Sequence, residues 1–237
     1  MGTFVTLAEV LEARGSPLDE DEVWCLLLAT AEALMDISKK SNQNTTTCYL
    51  AAGVLSPGSV LLSANGSLAF KSCARYEDVA TFTAPEVQQA HAACTRTAMV
   101  VYSLGMTLYW CVDYHLPQNQ PVHLSSALES LLLSMCEDVV VRRTDLLTVL
   151  ETCQLHHKAA MLPPVERLLV APTLHSCSLS WTMIPLQVDH VSMAENGSQL
   201  TDRSQMVRDR LHSKKLICLS DFGNALTCFR AESLKRR

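Results

Sequence analysis

Residues 98–114, Ala-Met-Val-Val-Tyr-Ser-Leu-Gly-Met-Thr-Leu-Tyr-Trp-Cys-Val-Asp-Tyr, are apolar on nearly every face. No run of about 18 uninterrupted apolar residues occurs in the chain, so this segment is not read as a membrane span. A helix of this length that is hydrophobic all round belongs at the centre of a domain, and the rest of the chain must cover it. The composition permits that. Hydrophobic residues make up 48% of 237, enough to form a core, while aromatics are 5%, so the core is aliphatic. The length suits one domain plus an extension, and is short for a complete two-lobed nucleotide-dependent enzyme.

The segments around this helix carry their own signals. Thr6-Leu7-Ala8-Glu9 reads as a capping box opening a short helix that Gly15 ends. Asp19, Glu20, Asp21 and Glu22 then place four carboxylates in the first turn of a second helix, where the helix dipole favours them. Val23, Trp24, Leu27, Leu28, Ala31, Leu34, Met35 and Ile37 follow at helical spacing, and Lys39-Lys40 closes the run. After a polar loop at 41–47, two apolar stretches between Val60 and Phe70 flank Asn65-Gly66, a strong hairpin signal. Residues 75–97, which contain Pro85, read as turns and short helix. Leu124–Cys136 and Thr144–His157 read as amphipathic helices, and Val165–Leu174 as one or two turns more. Beyond about residue 175 the pattern degrades, although 201–211 has the makings of a short basic helix.

Charge is divided unevenly. Residues 1–160 hold 9 Lys+Arg against 17 Asp+Glu, a net of −8, and residues 161–237 hold 10 against 7, a net of +3. The overall −5 argues against a nucleic-acid binder held by bulk positive charge. The ten cysteines are widely and irregularly spaced, mostly inside apolar runs, with no Cys-x-x-Cys pair and no secretory signal ahead of them. They read as reduced thiols of an intracellular chain.

One ordered set of signals carries the functional reading. The hairpin is followed by Ala84-Pro85-Glu86, then by the apolar helix with Tyr102-Ser103-Leu104-Gly105, then by Cys136-Glu137-Asp138-Val139-Val140-Val141-Arg142-Arg143-Thr144 ahead of another helix. This order resembles the C-terminal lobe of a protein kinase, in which the Ala-Pro-Glu carboxylate pairs with an arginine reached through an Asp-x-x-x-Arg step. Glu86 and Arg142 take those places, with Asp138 four residues before Arg142. The groups that phosphoryl transfer needs are missing. Laid on the kinase pattern, Val54 stands at the catalytic base, Ser59 at the metal-binding Asn and Ser72 at the metal-binding Asp. About 50 residues precede the hairpin, too few for a nucleotide lobe with its Gly-rich loop and Lys. Asp221-Phe222-Gly223 matches the kinase metal triplet by letter, but it lies 135 residues after Glu86, on the wrong side of it.

The chain is identified by these segments, together with Val5–Gly15, Phe82–Val87, Tyr102–Trp110, Pro117–Pro121 and Met135–Asp138, as resembling the KIND domain, the kinase non-catalytic C-lobe module. Within that family it is most similar to the N-terminal region of non-receptor tyrosine phosphatases of the KIND–FERM–multi-PDZ type, and next to FERM-and-PDZ scaffolds. The resemblance covers residues 5 to about 157 and implies a mostly α fold with a small β-hairpin, protein-kinase C-lobe-like. It divides the chain into a domain at 1–175 and a poorly ordered basic extension at 176–237. It implies no catalytic residue, no cofactor and no metal. It makes Glu86, Arg142, Asp138 and Gly105 the structural framework.

The activity implied is binding of a protein partner, since other KIND domains bind cytoskeletal regulators such as formin tails. The acidic balance favours a basic tail peptide, met by Asp19, Glu20, Asp21, Glu22, Asp113 and Glu137, in the cytoplasm at the cytoskeleton or beneath the membrane, with no nucleic acid and no transmembrane segment. Two alternatives stay open: an inactive fragment of a tyrosine phosphatase, and a divergent nucleotide-binding pseudokinase-like protein. Other chemistry finds little support. No Gly-x-Ser-x-Gly elbow accompanies Asp189-His190. Cys153 with His156-His157 lacks the second pair that a structural zinc site needs. Cys136, beside Glu137-Asp138, is expected to have a raised thiol pKa from its acidic setting.

Overall fold

A computed structural model describes residues 4–40, 54–63, 66–71, 80–88, 96–117, 120–160 and 197–213. The loop at 41–47, Ser72, the turns at 165–174, Asp189-His190 and Asp221-Phe222-Gly223 lie outside these residues. The described elements, in chain order, are β1 (Phe4–Thr6), α1 (Leu7–Arg14), α2 (Glu20–Lys40), β2 (Val60–Ser63), β3 (Leu68–Phe70), α3 (Pro85–Gln88), α4 (Arg96–Val112), α5 (Ser126–Met135), a 3-10 turn (Val140–Arg142), α6 (Leu146–Ala160) and α7 (Gly197–Ser213). The fold is mostly helical with a small antiparallel sheet.

Local chemistry sets most boundaries. The Thr6 hydroxyl accepts the Glu9 N–H at 3.1 Å and the Glu9 carboxylate accepts the Thr6 N–H at 2.7 Å, the reciprocal capping box. Gly15 closes α1 in the left-handed region at φ 70°, and Gly66 turns the hairpin at φ 76°. Ser125 caps α5 through the Leu128 N–H, and Asp145 accepts the Thr148 N–H at 2.8 Å at the start of α6. The sheet has three strands, in the order β1-β2-β3. Val5 pairs with Leu62, and Leu62 with Leu68. β1 is not legible as a strand in sequence, because a three-residue segment exists as one only through its partner.

α4 lies at the centre. Thirteen consecutive residues, Val100–Val112, are buried, including the polar Ser103 and Thr107. Those two hydroxyls bond the chain just before the hairpin: Ser103 Oγ accepts the Leu55 N–H at 2.9 Å, and Thr107 Oγ1 donates to the Leu55 carbonyl at 3.3 Å. α2 packs along α6, and α5 crosses α4. The crossing is closest at Gly105, where an added Cβ would lie 2.8 Å from Met135 Cβ and 3.0 Å from Cys136 Sγ. Glycine here sets the distance between the two helices. Gly105→Ala is therefore expected to force the crossing apart and cost about 1–3 kcal/mol in urea denaturation. An unchanged midpoint would mean that Met135 and Cys136 shift freely.

α7 takes in the stretch at 201–211 that reads as a short basic helix. Within the stretch read as a poorly ordered extension, residues 197–213 form a helix that packs on α4 and α5. Ser204, Val207, Arg208 and Leu211 are buried along one stripe at spacings of three and four.

Candidate functional site

The framework pair is built on Arg143, not Arg142. Arg143 Nη1 and Nη2 donate to Glu86 Oε1 and Oε2 at 2.6 and 3.0 Å, and both side chains are buried. Arg143 also donates from Nη1 to the Ala98 carbonyl at 2.9 Å and from Nε to the Glu137 carbonyl at 2.8 Å, while Nη2 lies 3.5 Å from the Asp138 carbonyl. Its guanidinium lies over the Tyr102 ring, 4.9 Å from the centroid. Arg142 is exposed. The reason is the 3-10 turn, which winds three residues per turn and carries Val141 and Arg142 outward, so that the inward position falls one residue later. The Asp-x-x-x-Arg count from Asp138 presumes an even step and lands on the wrong one of two adjacent arginines.

Glu86→Ala would leave Arg143 buried without its carboxylate. It should cost about 3–5 kcal/mol in chemical denaturation, whereas Arg142→Ala should stay within about 0.5 kcal/mol of wild type. Equal losses for the two would refute the assignment.

The six acidic candidates divide into separate bonding sets. Glu22 is buried, receives both oxygens' worth of hydrogen bonds from Arg14 Nη1 at 2.6 and 2.5 Å, and accepts the Asp19 N–H at 2.8 Å. Asp19 is exposed and pairs with Arg14 Nη2 at 3.0 Å; Asp21 is exposed. Glu20 reaches across to α5, accepting the Ser125 N–H at 2.9 Å and its hydroxyl, and it also accepts Trp24 Nε1 at 3.3 Å. Asp19, Glu20 and Glu22 are thus partly consumed in building the start of α2.

Burial pushes the Glu20 carboxyl upward, but the Ser125 and Trp24 hydrogen bonds outweigh it and hold the group below its ordinary value of 4.5. A carboxyl depressed on folding stabilises the protein above its unfolded pKa and loses that contribution as pH falls through the folded one. Thermal melts of Glu20→Gln should therefore lie below wild type at pH 7 and converge with it in acid. Parallel curves from pH 7 to pH 3 would remove this role.

The remaining carboxylates form a shelf, and α7 lies on it. Arg208 Nε donates to Asp113 Oδ1 at 2.8 Å, Nη1 to the Gln120 carbonyl at 2.6 Å and Nη2 to the Pro117 carbonyl at 3.0 Å. Arg208 and Asp113 are 4% and 3% exposed. Asp113 lies just past the C-terminal end of α4, where the helix dipole disfavours a negative charge. Burial raises its carboxyl above the ordinary value although Arg208 and His212 pull it down. The position demands a cation. Arg203 pairs with Glu137 at 2.6 Å, and Arg210 forks onto Asp138 at 2.6 and 3.0 Å, in pairs open to solvent. Arg210 also donates to the Tyr102 hydroxyl, and the Tyr109 hydroxyl bonds Ser204. Burial raises Tyr109 to about 12. A narrow cleft lined by Leu133, Cys136, Met206 and Val207 remains between α7 and the end of α5.

Sequence reasoning placed Asp113 and Glu137 on a binding face and Asp138 in the structural framework. It did not find Arg143, Arg203, Arg208 or Arg210. The signal for the last three was present, since Ser204, Val207, Arg208 and Leu211 share one face of the basic helix read at 201–211. Cys136 is pushed up to about 12, chiefly by burial rather than by its acidic neighbours, and the nearby Arg210 and Arg143 act against the rise. Cys25, Cys111, Cys136 and Cys153 are buried. Among the described residues no cluster could hold a metal, and His156 is stacked on Trp24 at 4.0 Å. No helix among them is long and apolar enough to cross a membrane.

A helical lobe braced by an Ala-Pro-Glu carboxylate and a buried arginine, with Val54 and Ser59 closed into its interior, is a kinase C-lobe-like module. The chain belongs to the KIND family: the family described as "Kinase non-catalytic C-lobe domain" matches residues 5–152. The chain is 38% identical to human tyrosine-protein phosphatase non-receptor type 13 over 220 residues, covering 90% of this chain and 8% of the relative. It is 36% identical to mouse FERM and PDZ domain-containing protein 2 over 213 residues, covering 88% of this chain and 14% of the relative. The chain thus spans a small fraction of the length of the relatives it matches. Matches of that extent reach beyond residue 200 wherever they begin, and so take in part of α7, which the family match at 5–152 does not.

Proposed function

We propose that the chain is a non-catalytic protein-interaction module that holds a basic segment of a partner, as a scaffold or adaptor in cytoskeletal signalling. The observation that carries this reading is that the lobe already grips an arginine-bearing helix, with Asp113, Glu137 and Asp138 each paired to a guanidinium. The family's non-catalytic description supports the absence of an activity of its own. So do the positions laid on the kinase pattern. Val54 is buried, and Ser59 Oγ is spent on the Ser56 N–H and carbonyl at 2.7 and 2.9 Å. The phosphatase activity named for one relative is not carried over, because this chain contains no His-Cys-x5-Arg loop. Its place in this reading is the cytoplasm, at the cytoskeleton or beneath the membrane.

A fluorescent peptide of a formin's basic tail tests the reading directly. Binding to the full chain with α7 loosened, by the variants described below, should weaken at least about tenfold between 50 and 300 mM salt, because exposed charges attract only over a Debye length of about 10 Å that shortens as salt rises. Affinity that is indifferent to salt would remove the basic-segment mode, and no binding at any salt by wild type or by the loosened variants described below would remove a formin tail as the partner.

A further inference from the structure

The contacts of α7 are unequal, and the inequality has a use. Arg208 sits in a built socket: one carboxylate and two loop carbonyls, from Asp113, Pro117 and Gln120, meet the three nitrogens of a single guanidinium. Three acceptors in a fixed fork suit arginine rather than lysine, whose ammonium is a point donor on a flexible stem. The flanking pairs are much more exposed. Arg203 and Glu137 are 45% and 16% exposed, and Arg210 and Asp138 are 38% and 41%. Such pairs are worth little singly and are weakened by salt. Among the described side chains of α7, Val207 and Leu211 are the buried apolar ones, and Met206 stays 57% exposed. Among the described contacts, the helix is therefore held by one deep anchor at Asp113, which His212 also approaches at 3.3 Å, by hydrogen bonds to the Tyr102 and Tyr109 hydroxyls, by two exposed ion pairs and by a short apolar stripe. These are the contacts of a ligand more than of a core element.

We infer that the shelf is a receptor for an arginine-bearing amphipathic helix, that the Arg208 socket is its specificity-determining anchor, and that α7 is its resident occupant in cis. A partner helix reaches the shelf by displacing α7. Its pattern is that of α7 itself: an arginine for the socket, apolar residues one position before and three positions after it, and arginines five before and two after for Glu137 and Asp138. This rests on the reading that the lobe takes basic segments. α7 is joined to α6 by 36 residues of its own chain, so it competes at the effective concentration of a tethered ligand. The free shelf leaves Asp113 partly buried at a helix C-terminus without a cation, so an occupant with no arginine at the anchor is rejected.

The test uses the full chain and a labelled synthetic peptide of residues 197–213. Two variants loosen α7. Arg208→Ala empties the socket, and Arg203→Glu with Arg210→Glu repels the shelf while leaving the buried residues alone. The peptide should bind either loosened variant at least about tenfold more tightly than wild type. A peptide with Arg208→Ala should not bind, and one with Arg208→Lys should recover little. If Arg208→Ala fails to fold, the double reversal carries the test. Equal peptide affinity for wild type and a folded loosened variant overturns the proposal, and so does failure to bind any folded loosened variant. The formin tail peptide separates the two readings. If it binds wild type and loosened chains alike, basic-segment binding stands and cis occupancy falls. If the α7 peptide exchanges while the formin peptide binds neither, cis occupancy stands and that choice of partner falls.

Discussion

One buried guanidinium decides how the lobe closes. Arg143 draws Glu86 from α3, Ala98 from the start of α4 and Glu137 from the segment after α5 onto a single planar group. Burying a charge is costly unless its partners are nearly complete, and here the carboxylate fork and the backbone acceptors supply them. The brace also shapes the surface. The Glu137 carbonyl is turned inward to Arg143, so its carboxylate faces the shelf, where it meets Arg203. Tyr102 joins the two systems, with Arg143 over its ring from the interior and Arg210 at its hydroxyl from α7. The face on which α7 packs is built on the same loop that the structural pair pins.

The kinase-like order survives without its chemistry because the order serves packing. The segment before the hairpin, where a kinase keeps its catalytic loop, is tied to the central helix by Ser103 and Thr107 through both polar groups of Leu55. Those bonds give buried backbone groups partners inside an otherwise apolar helix environment. A catalytic base needs access to substrate and a tuned protonation state. Val54 supplies neither, and Ser59 spends its hydroxyl closing a local turn. What remains is a scaffold that positions loops and helix ends.

Much of this was legible in the residues wherever the determining forces are local. The capping box at Thr6, the left-handed glycines at 15 and 66, and the apolar run at 98–114 each carry their own cause, and the elements formed where those causes lie. β1 was not legible, because its extended state is imposed by pairing with β2 across more than 50 residues of chain. The choice between Arg142 and Arg143 was not legible either. Both have the right chemistry, and only the tighter winding of the 140–142 turn decides which side chain points inward. α7 was half legible: its helical stripe is in the sequence, while its docking depends on a shelf assembled from residues 113 to 138.

The division of charge between the two parts of the chain takes on a different meaning once α7 is in place. A net −8 over residues 1–160 suggests an acidic surface open to basic partners. Yet Asp113, Glu137 and Asp138 already face arginines drawn from the +3 segment, so the potential along that edge is largely cancelled within the molecule. Long-range steering of a basic partner depends on uncompensated charge, and so does the salt sensitivity of the encounter. Those properties belong to the state in which α7 has left the shelf. The closed state presents a partner with weakly attracting pairs and a filled socket. Selectivity then comes less from how acidic the lobe is than from whether a competing helix can offer an arginine to Asp113 as well as α7 does.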